Sequence, residues 1–302
     1  MLNIDSTNKK ILYGLSPLRY PGGKTRALKE ILAKVPEYEE YREPMVGGGS
    51  VFFALKTLNP QKKYWINDIN KELYLFWKYC KEEPKGLISK VRCMKRRYKG
   101  GKTGGKRLYR NLIKLNPNQM TELERAARFF ILNRISYSGL IESGGYSKEA
   151  YRKRFTKSSI KRIYKASKLL EGVRVTNLDY SELMTEPSKE KVFLFIDPPY
   201  VSKSYAKLYG KHGRLHTGFD HQLFAEDVKK CKYTLLVTYD KCNTVDELYK
   251  FANLIGWKLQ YGTNNSAEER KNKSARIGNE VFISKNYEIP KTYILNEIVS
   301  GV

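Results

Sequence analysis

Val192-Phe193-Leu194-Phe195-Ile196-Asp197-Pro198-Pro199-Tyr200 is the stretch from which the fold can be read. Five apolar residues in succession describe a strand buried on both faces, as in the centre of a parallel sheet. Two prolines then end it, because proline has no N–H for a sheet ladder. One carboxylate and one aromatic ring are thereby set at the carboxyl end of a core strand, where open α/β sheets bind their ligands.

The pattern alternates on both sides of this strand. Before it, a helix is expected over 160–170 and a strand at Val173-Arg174-Val175-Thr176-Asn177, followed by Asp179-Tyr180. After it come a buried strand over 233–239, a helix over 246–255, a strand over 257–263 and a last strand at 279–284. A basic hairpin loop, residues 267–276 and ending in Arg276, joins the final two.

Toward the N-terminus, Tyr20-Pro21-Gly22-Gly23-Lys24 precedes a helical stretch in which Thr25 is a candidate N-cap. A glycine pair before a helix lets backbone N–H groups approach an anion, although Pro-Gly-Gly is first of all a turn. The P-loop spacing is absent. Glu43-Pro44-Met45-Val46-Gly47-Gly48-Gly49-Ser50 follows a short strand and opens a helix, and Tyr64-Trp65-Ile66-Asn67-Asp68 ends a second strand in an acid. That spacing suits a carboxylate on a ribose hydroxyl pair. A nicotinamide cofactor uses the same spacing, but Phe52 stands where its third glycine belongs.

Between 71 and 157 the character changes. Residues 92–107 are dense in cations and glycine, suit phosphate contact and are expected to be loosely held without a partner. An amphipathic helix is expected over 121–135, with Thr121 and Glu124 as a capping box. It runs into Asn133-Arg134-Ile135-Ser136-Tyr137-Ser138-Gly139-Leu140-Ile141-Glu142, a polar loop carrying aromatics, a combination that holds and wedges nucleic acid.

Composition narrows the partners. The 302 residues are 41% hydrophobic and 13% aromatic, which describes a folded chain. Lys and Arg number 57 against 31 Asp and Glu, a net charge of +26 that points to a polyanion. Four cysteines contain no C-x-x-C pair, so neither a zinc site nor a disulfide framework is indicated. The first ten residues lack the apolar run of a signal peptide, and no stretch reaches membrane-spanning length. A cytoplasmic protein with no membrane partner is expected.

Taken together, these motifs resemble the Dam-type group of DNA adenine-N6 methyltransferases, over about residues 16–285. The first motif is Tyr20 to Lys24, the glycine loop Glu43 to Ser50, and the ribose-binding strand end Asn67-Asp68-Ile69-Asn70. Asn133-Arg134 through Gly139-Leu140 is similar to the recognition loop and Asp197-Pro198-Pro199-Tyr200 to the catalytic motif. The resemblance implies an α/β fold: a Rossmann-like class I methyltransferase sheet, mostly parallel, with one antiparallel strand near the C-terminus. Residues 1–70 and 158–302 would form the S-adenosylmethionine-binding catalytic domain, and 71–157 an inserted, mainly helical target-recognition domain.

The same resemblance implies roles. Tyr20, Lys24 and Asp197 would lie at the cofactor pocket, with Lys24 also reaching DNA. Glu43, Gly47 and Gly49 would hold the methionine part, Asp68 the ribose, and Asp179 with Tyr180 the cofactor adenine. Asp197 would accept one N–H of the target amino group and the Pro198 carbonyl the other, while Tyr200 stacks on the flipped base. Arg134, Tyr137, Ser138, Leu140, Glu142 and Arg276 would meet double-stranded DNA, with Tyr137 as the wedge. No metal is implied, and S-adenosylhomocysteine would be the product. The pattern departs at Glu142, where members reading GATC carry arginine; a carboxylate can only accept, for instance from cytosine. The same catalytic motif would serve an RNA or glutamine amino-methyltransferase, or persist in a silent nucleic-acid-binding homologue. A bacterial or phage source, a monomer and a cognate restriction endonuclease are further expectations.

Overall fold

The computed structural model describes residues 16–20, 22–98, 103–141, 144–201, 218–260 and 277–289. Among them seven strands form one sheet: β1 (Glu40–Glu43), β2 (Lys63–Asn67), β3 (Arg174–Thr176), β4 (Val192–Ile196), β5 (Thr234–Asp240), β6 (Asn253–Gln260) and β7 (Ile277–Lys285). Their order is β3-β2-β1-β4-β5-β7-β6. β7 runs antiparallel to β5 and β6, and the remaining pairings are parallel. The mostly parallel sheet with one reversed strand near the C-terminus is thus borne out.

β4 is buried at all five positions. Phe193 and Phe195 enter the core on one face of the sheet, while Val192, Leu194 and Ile196 enter the core on the other. Each such burial contributes roughly 1.5–3 kcal/mol, so a polar residue anywhere in the strand would be costly. This is why the run is continuous rather than alternating.

The first face is covered by α1 (Leu28–Leu32), α2 (Ser50–Leu58) and a helical block. The block comprises α3 (Lys71–Glu82), α4 (Pro84–Arg97), α5 (Gly104–Lys114), α6 (Glu122–Ile135), α7 (Lys148–Arg154) and α8 (Lys157–Leu169). Trp77, Leu87, Phe130 and Ile163 from this block share one core with Phe193 and Phe195. The second face is covered by α9 (Tyr180–Thr185), α10 (His221–Lys230) and α11 (Asn243–Leu248), through Met184, Phe224, Val228 and Val245.

Several local expectations change. α6 has its capping box, Thr121 and Glu124 exchanging backbone bonds of 3.3 and 3.2 Å. It is not amphipathic, however: every residue from 126 to 135 is buried, because α6 is the central rod of the block. Its Arg128 survives there by donating to the Leu112 carbonyl at 2.7 Å. Thr25 is no N-cap; it sits inside a 3₁₀ turn, Lys24–Ala27, capped by Gly23, and its hydroxyl meets that of Ser50 at 3.0 Å. The helix expected over 246–255 ends at Leu248, since Leu254 and Ile255 pair with β7 instead. Most of the cation-rich stretch is helical, split between the end of α4 and the start of α5, with residues 99–102 outside the described residues. No helix among the described residues is long and apolar enough to cross a membrane.

Candidate active site

β1 connects to β2 on one side while β4 flanks it on the other, so the chain's winding reverses between β1 and β4. Crevices open at the carboxyl ends of strands at such a switch point. A cleft of about 690 Å³ of empty space lies there, lined by Tyr20, Lys24, Glu43, the turn at 47–50, Asp68, Asp197 and Pro199. Residues from four separate sequence motifs therefore share one wall.

The glycine turn is shaped by Tyr20. Gly47 has φ +48°, and a Cβ there would stand 2.8 Å from the Tyr20 ring; one on Gly48 would stand 2.7 Å from the Tyr20 Cβ. Glycine is required because an aromatic ring lies against the turn, in addition to the positive φ. The Trp77 indole donates to the Gly47 carbonyl at 3.2 Å and holds the turn from behind.

Asp68 follows β2. Its two carboxylate oxygens accept from the Gly47 and Asn70 backbone N–H groups, each at 3.0 Å. Burial pushes its pKa up to about 6 against the pull of those N–H groups. A carboxylate offers about four lone-pair sites, so two remain for a diol. Asn67 beside it spends both ends of its amide joining β1 to β3, donating to the Pro44 and Leu178 carbonyls and accepting from Leu178 N–H and the Thr176 hydroxyl. Glu43 ends β1, buried, accepting from the Tyr41 hydroxyl at 2.7 Å. Burial, with Asp197 and Asp68 nearby, raises its pKa to about 8 despite that bond.

Asp197 stands just past β4. Lys24 Nζ lies 2.6 Å from its carboxylate and the Thr238 hydroxyl donates to it at 2.9 Å. Pro198 is buried next to it. Tyr200 is also buried; its hydroxyl donates to Glu280 on β7 at 2.6 Å, and Lys24 Nζ lies 4.9 Å from its ring centroid. Thr238 and Glu280 were not singled out from the sequence. The one available signal is a lone acid opening an apolar run, Glu280-Val281-Phe282-Ile283.

The remaining candidates lie elsewhere. Asp179 caps α9, exposed, accepting from the Ser181 N–H and hydroxyl, and Tyr180 donates to Asp227; neither lines the cleft. In the recognition loop, Ser136 bridges Tyr146, Tyr137 is 46% exposed, and Ser138 takes φ +51° beside Gly139. Leu140 is half-buried. Arg134 is 2% exposed, its guanidinium turned inward onto the Arg154 and Pro17 carbonyls. Glu142 and Arg276 lie outside the described residues.

A mostly parallel sheet that brings the acids just past β2 and β4 to one cleft beside a glycine turn fits the class I methyltransferase fold. Residues 20–263 match the family described as D12 class N6 adenine-specific DNA methyltransferase. The type II methyltransferase M.MjaIII of Methanocaldococcus jannaschii is 31% identical over 68% of this chain and 76% of its own length. M1.LlaDCHI of Lactococcus lactis subsp. cremoris, also a type II methyltransferase, is 28% identical over 68% and 71%. A DNA adenine methylase of Vibrio cholerae serotype O1 is 25% identical over 78% and 85%. The chain belongs to the D12 class of N6 adenine-specific DNA methyltransferases. It transfers a methyl group to the N6 amino group of adenine in DNA, with S-adenosylmethionine as donor.

Proposed function

We propose that the target is an adenine in a short specific sequence of double-stranded DNA, turned out of the helix into the space beside Asp197. The observation that carries this reading is the position of the Asp197 carboxylate: at the open tip of β4, in the same cleft as Asp68 and Glu43. The residues fit the donor. Asp68 keeps lone pairs for a ribose diol, the turn at 47–49 gives backbone close to the cleft, and Glu43 is an acid able to meet an ammonium.

The adenine amino nitrogen shares its lone pair with the ring and is a poor nucleophile. Asp197 accepts one N–H and the Pro198 carbonyl the other, which draws the nitrogen toward a tetrahedral shape and frees the lone pair. S-adenosylmethionine supplies an activated methyl group. Lys24 and Thr238 hold the carboxylate in place and leave it lone pairs for the amino group. Positioning and charge supply the catalysis. Unstacking the base costs a few kcal/mol, and stacking on Tyr200 returns roughly 1–3 kcal/mol. Tyr137, exposed just after α6, fills the gap left in the duplex.

In this reading residues 71–157 are the target-recognition insertion, and Asp179 with Tyr180 meets the cofactor adenine. Glu142 makes a site other than GATC the expectation. The protein works as a monomer in the cytoplasm of a bacterium or phage-infected cell, beside a cognate endonuclease, as the type II names of two relatives suggest. The test is methyl transfer from labelled donor to a random-sequence duplex library, to the same single strands and to RNA, followed by mapping of modified adenines. Modified adenines in one short duplex context are expected. RNA as the better substrate, or modification without sequence context, would overturn the proposal.

A further inference from the structure

Four arginines converge on a second cavity, behind Tyr20 and the glycine turn. Arg19, Arg134, Arg154 and Arg162 line it together with the hydroxyls of Thr25 and Ser50, around about 820 Å³ of empty space open to solvent. They come from three places in the chain: the segment before α1, the end of α6, and α7 with α8. Among the described residues, no carboxylate forms an ion pair with any of the four. Guanidinium groups remain charged at working pH, so no ion pair among the described residues offsets their mutual repulsion.

Their hydrogen bonding leaves capacity. Arg134 gives three N–H groups to the Arg154 and Pro17 carbonyls and Arg19 gives one to the Ser136 carbonyl, at 3.4 Å. A guanidinium has five N–H donors, so both retain others. Among the described residues, the buried Arg162 Nε has no hydrogen-bond partner. Buried donors are normally satisfied, and an orphan at the wall of a cationic pocket marks a missing acceptor. Burial, and then Arg162, Arg19 and Arg154, push the Arg134 pKa down to about 9; Arg19 and Arg162 are lowered by burial and by Arg154. An anion in the pocket would relieve each of these effects.

We propose that this pocket binds one phosphate-type oxyanion, held between the four guanidinium groups. Planar N–H forks match the oxygens of a phosphate, and two hydroxyls complete the lining. A backbone phosphate of the DNA substrate and free inorganic phosphate share this chemistry. The DNA source rests on the reading given above; the free-anion source does not. The pocket lies at the root of the loop carrying exposed Tyr137, since Arg134 ends α6 just before it. A phosphate seated there would tie the first motif to that loop through a single ligand.

Two measurements decide, on the full chain in phosphate- and sulfate-free buffer. In the first, thermal unfolding is followed with and without about 10 mM inorganic phosphate at matched ionic strength, where tenfold saturation raises Tm by about 2 °C or more. Arg154→Gln and Arg162→Gln should abolish the rise while leaving the anion-free Tm unchanged or higher. In the second, duplex affinity is measured against salt; loss of one phosphate contact lowers the log–log slope by about 0.9 in either variant. A Tm rise without a slope change assigns the site to free phosphate. A slope change assigns it to DNA. The proposal is overturned if phosphate leaves wild-type Tm unmoved and both variants keep the wild-type slope, or if both variants lose anion-free stability, which makes the arginines structural posts. Failure of the wild type to bind duplex at all would strike the DNA reading and leave the first measurement to decide the pocket.

Discussion

Lys24 Nζ lies 2.6 Å from the Asp197 carboxylate, although 173 positions separate them. Sequence motifs assign the two to different tasks, the lysine to cofactor and DNA and the acid to the amino group. In the fold they form one pair, 7% and 23% exposed, with the lysine also facing the Tyr200 ring. The pair fixes the direction in which Asp197 offers its free lone pairs. Lys24→Met should therefore slow single-turnover methyl transfer by about 10²-fold, the usual effect of removing one preorganised charge. Rapid-quench assay at saturating donor checks this; wild-type rate in the variant would make the pair incidental.

Tyr200 is anchored across the sheet by Glu280, and that bond is separable from the ring. Tyr200→Phe keeps the ring but removes the donor, and should lower stability by about 1–3 kcal/mol in denaturant titration. Its transfer rate should fall far less than that of Tyr200→Ala, which also loses a stacking face worth roughly 1–3 kcal/mol.

Glu43 gives a pH dependence with a definite sign. Its folded-state pKa is about 8 against an ordinary 4.5, so between these values the folded protein holds a proton that the unfolded chain releases. That contribution is complete below 4.5 and is lost as pH rises through 8, at up to about 1.4 kcal/mol per pH unit. Unfolding free energy should thus decline over this range in the wild type. Glu43→Gln should remove that part of the slope, leaving the smaller one from Asp68, whose raised value is about 6. Donor affinity should rise with pH toward 8 in the wild type, and the variant should lose the part of that rise above about pH 6, beyond the Asp68 titration.

Gly47→Ala places a methyl group against Tyr20 at a left-handed backbone position. The conformation alone costs about 1–2 kcal/mol. Combining it with Tyr20→Ala should return the part due to the ring and leave the part due to φ, a coupling that a double-mutant cycle measures.

The sheet was legible because its strands carry their own signals: a continuous apolar run in β4, and acids placed after β2 and β4. The end of α11 is not legible in the sequence, because Leu254 and Ile255 suit a helix by composition and only pairing with β7 makes them a strand. The burial of α6 is hidden in the sequence for a related reason. Arg128, Asn133 and Arg134 look like a solvent face, but carbonyls from α5, α7 and Arg19, just before the first motif, take their donors. In the site, motif residues are legible in the sequence, whereas Thr238 and Glu280 are not. Each lies in a strand that looks purely structural and acts on Asp197 or Tyr200 only after the sheet forms.

The central claim is that the Asp197 carboxylate grips the adenine amino group at the tip of β4. Asp197→Asn keeps size and burial but replaces an acceptor oxygen with a donor NH2. Donor binding is to be measured first by calorimetry, then methyl transfer to duplex DNA in a single turnover. Near-normal donor affinity with transfer reduced by about 10²–10³-fold or more is the expected result. Transfer at the wild-type rate with donor bound would contradict the account.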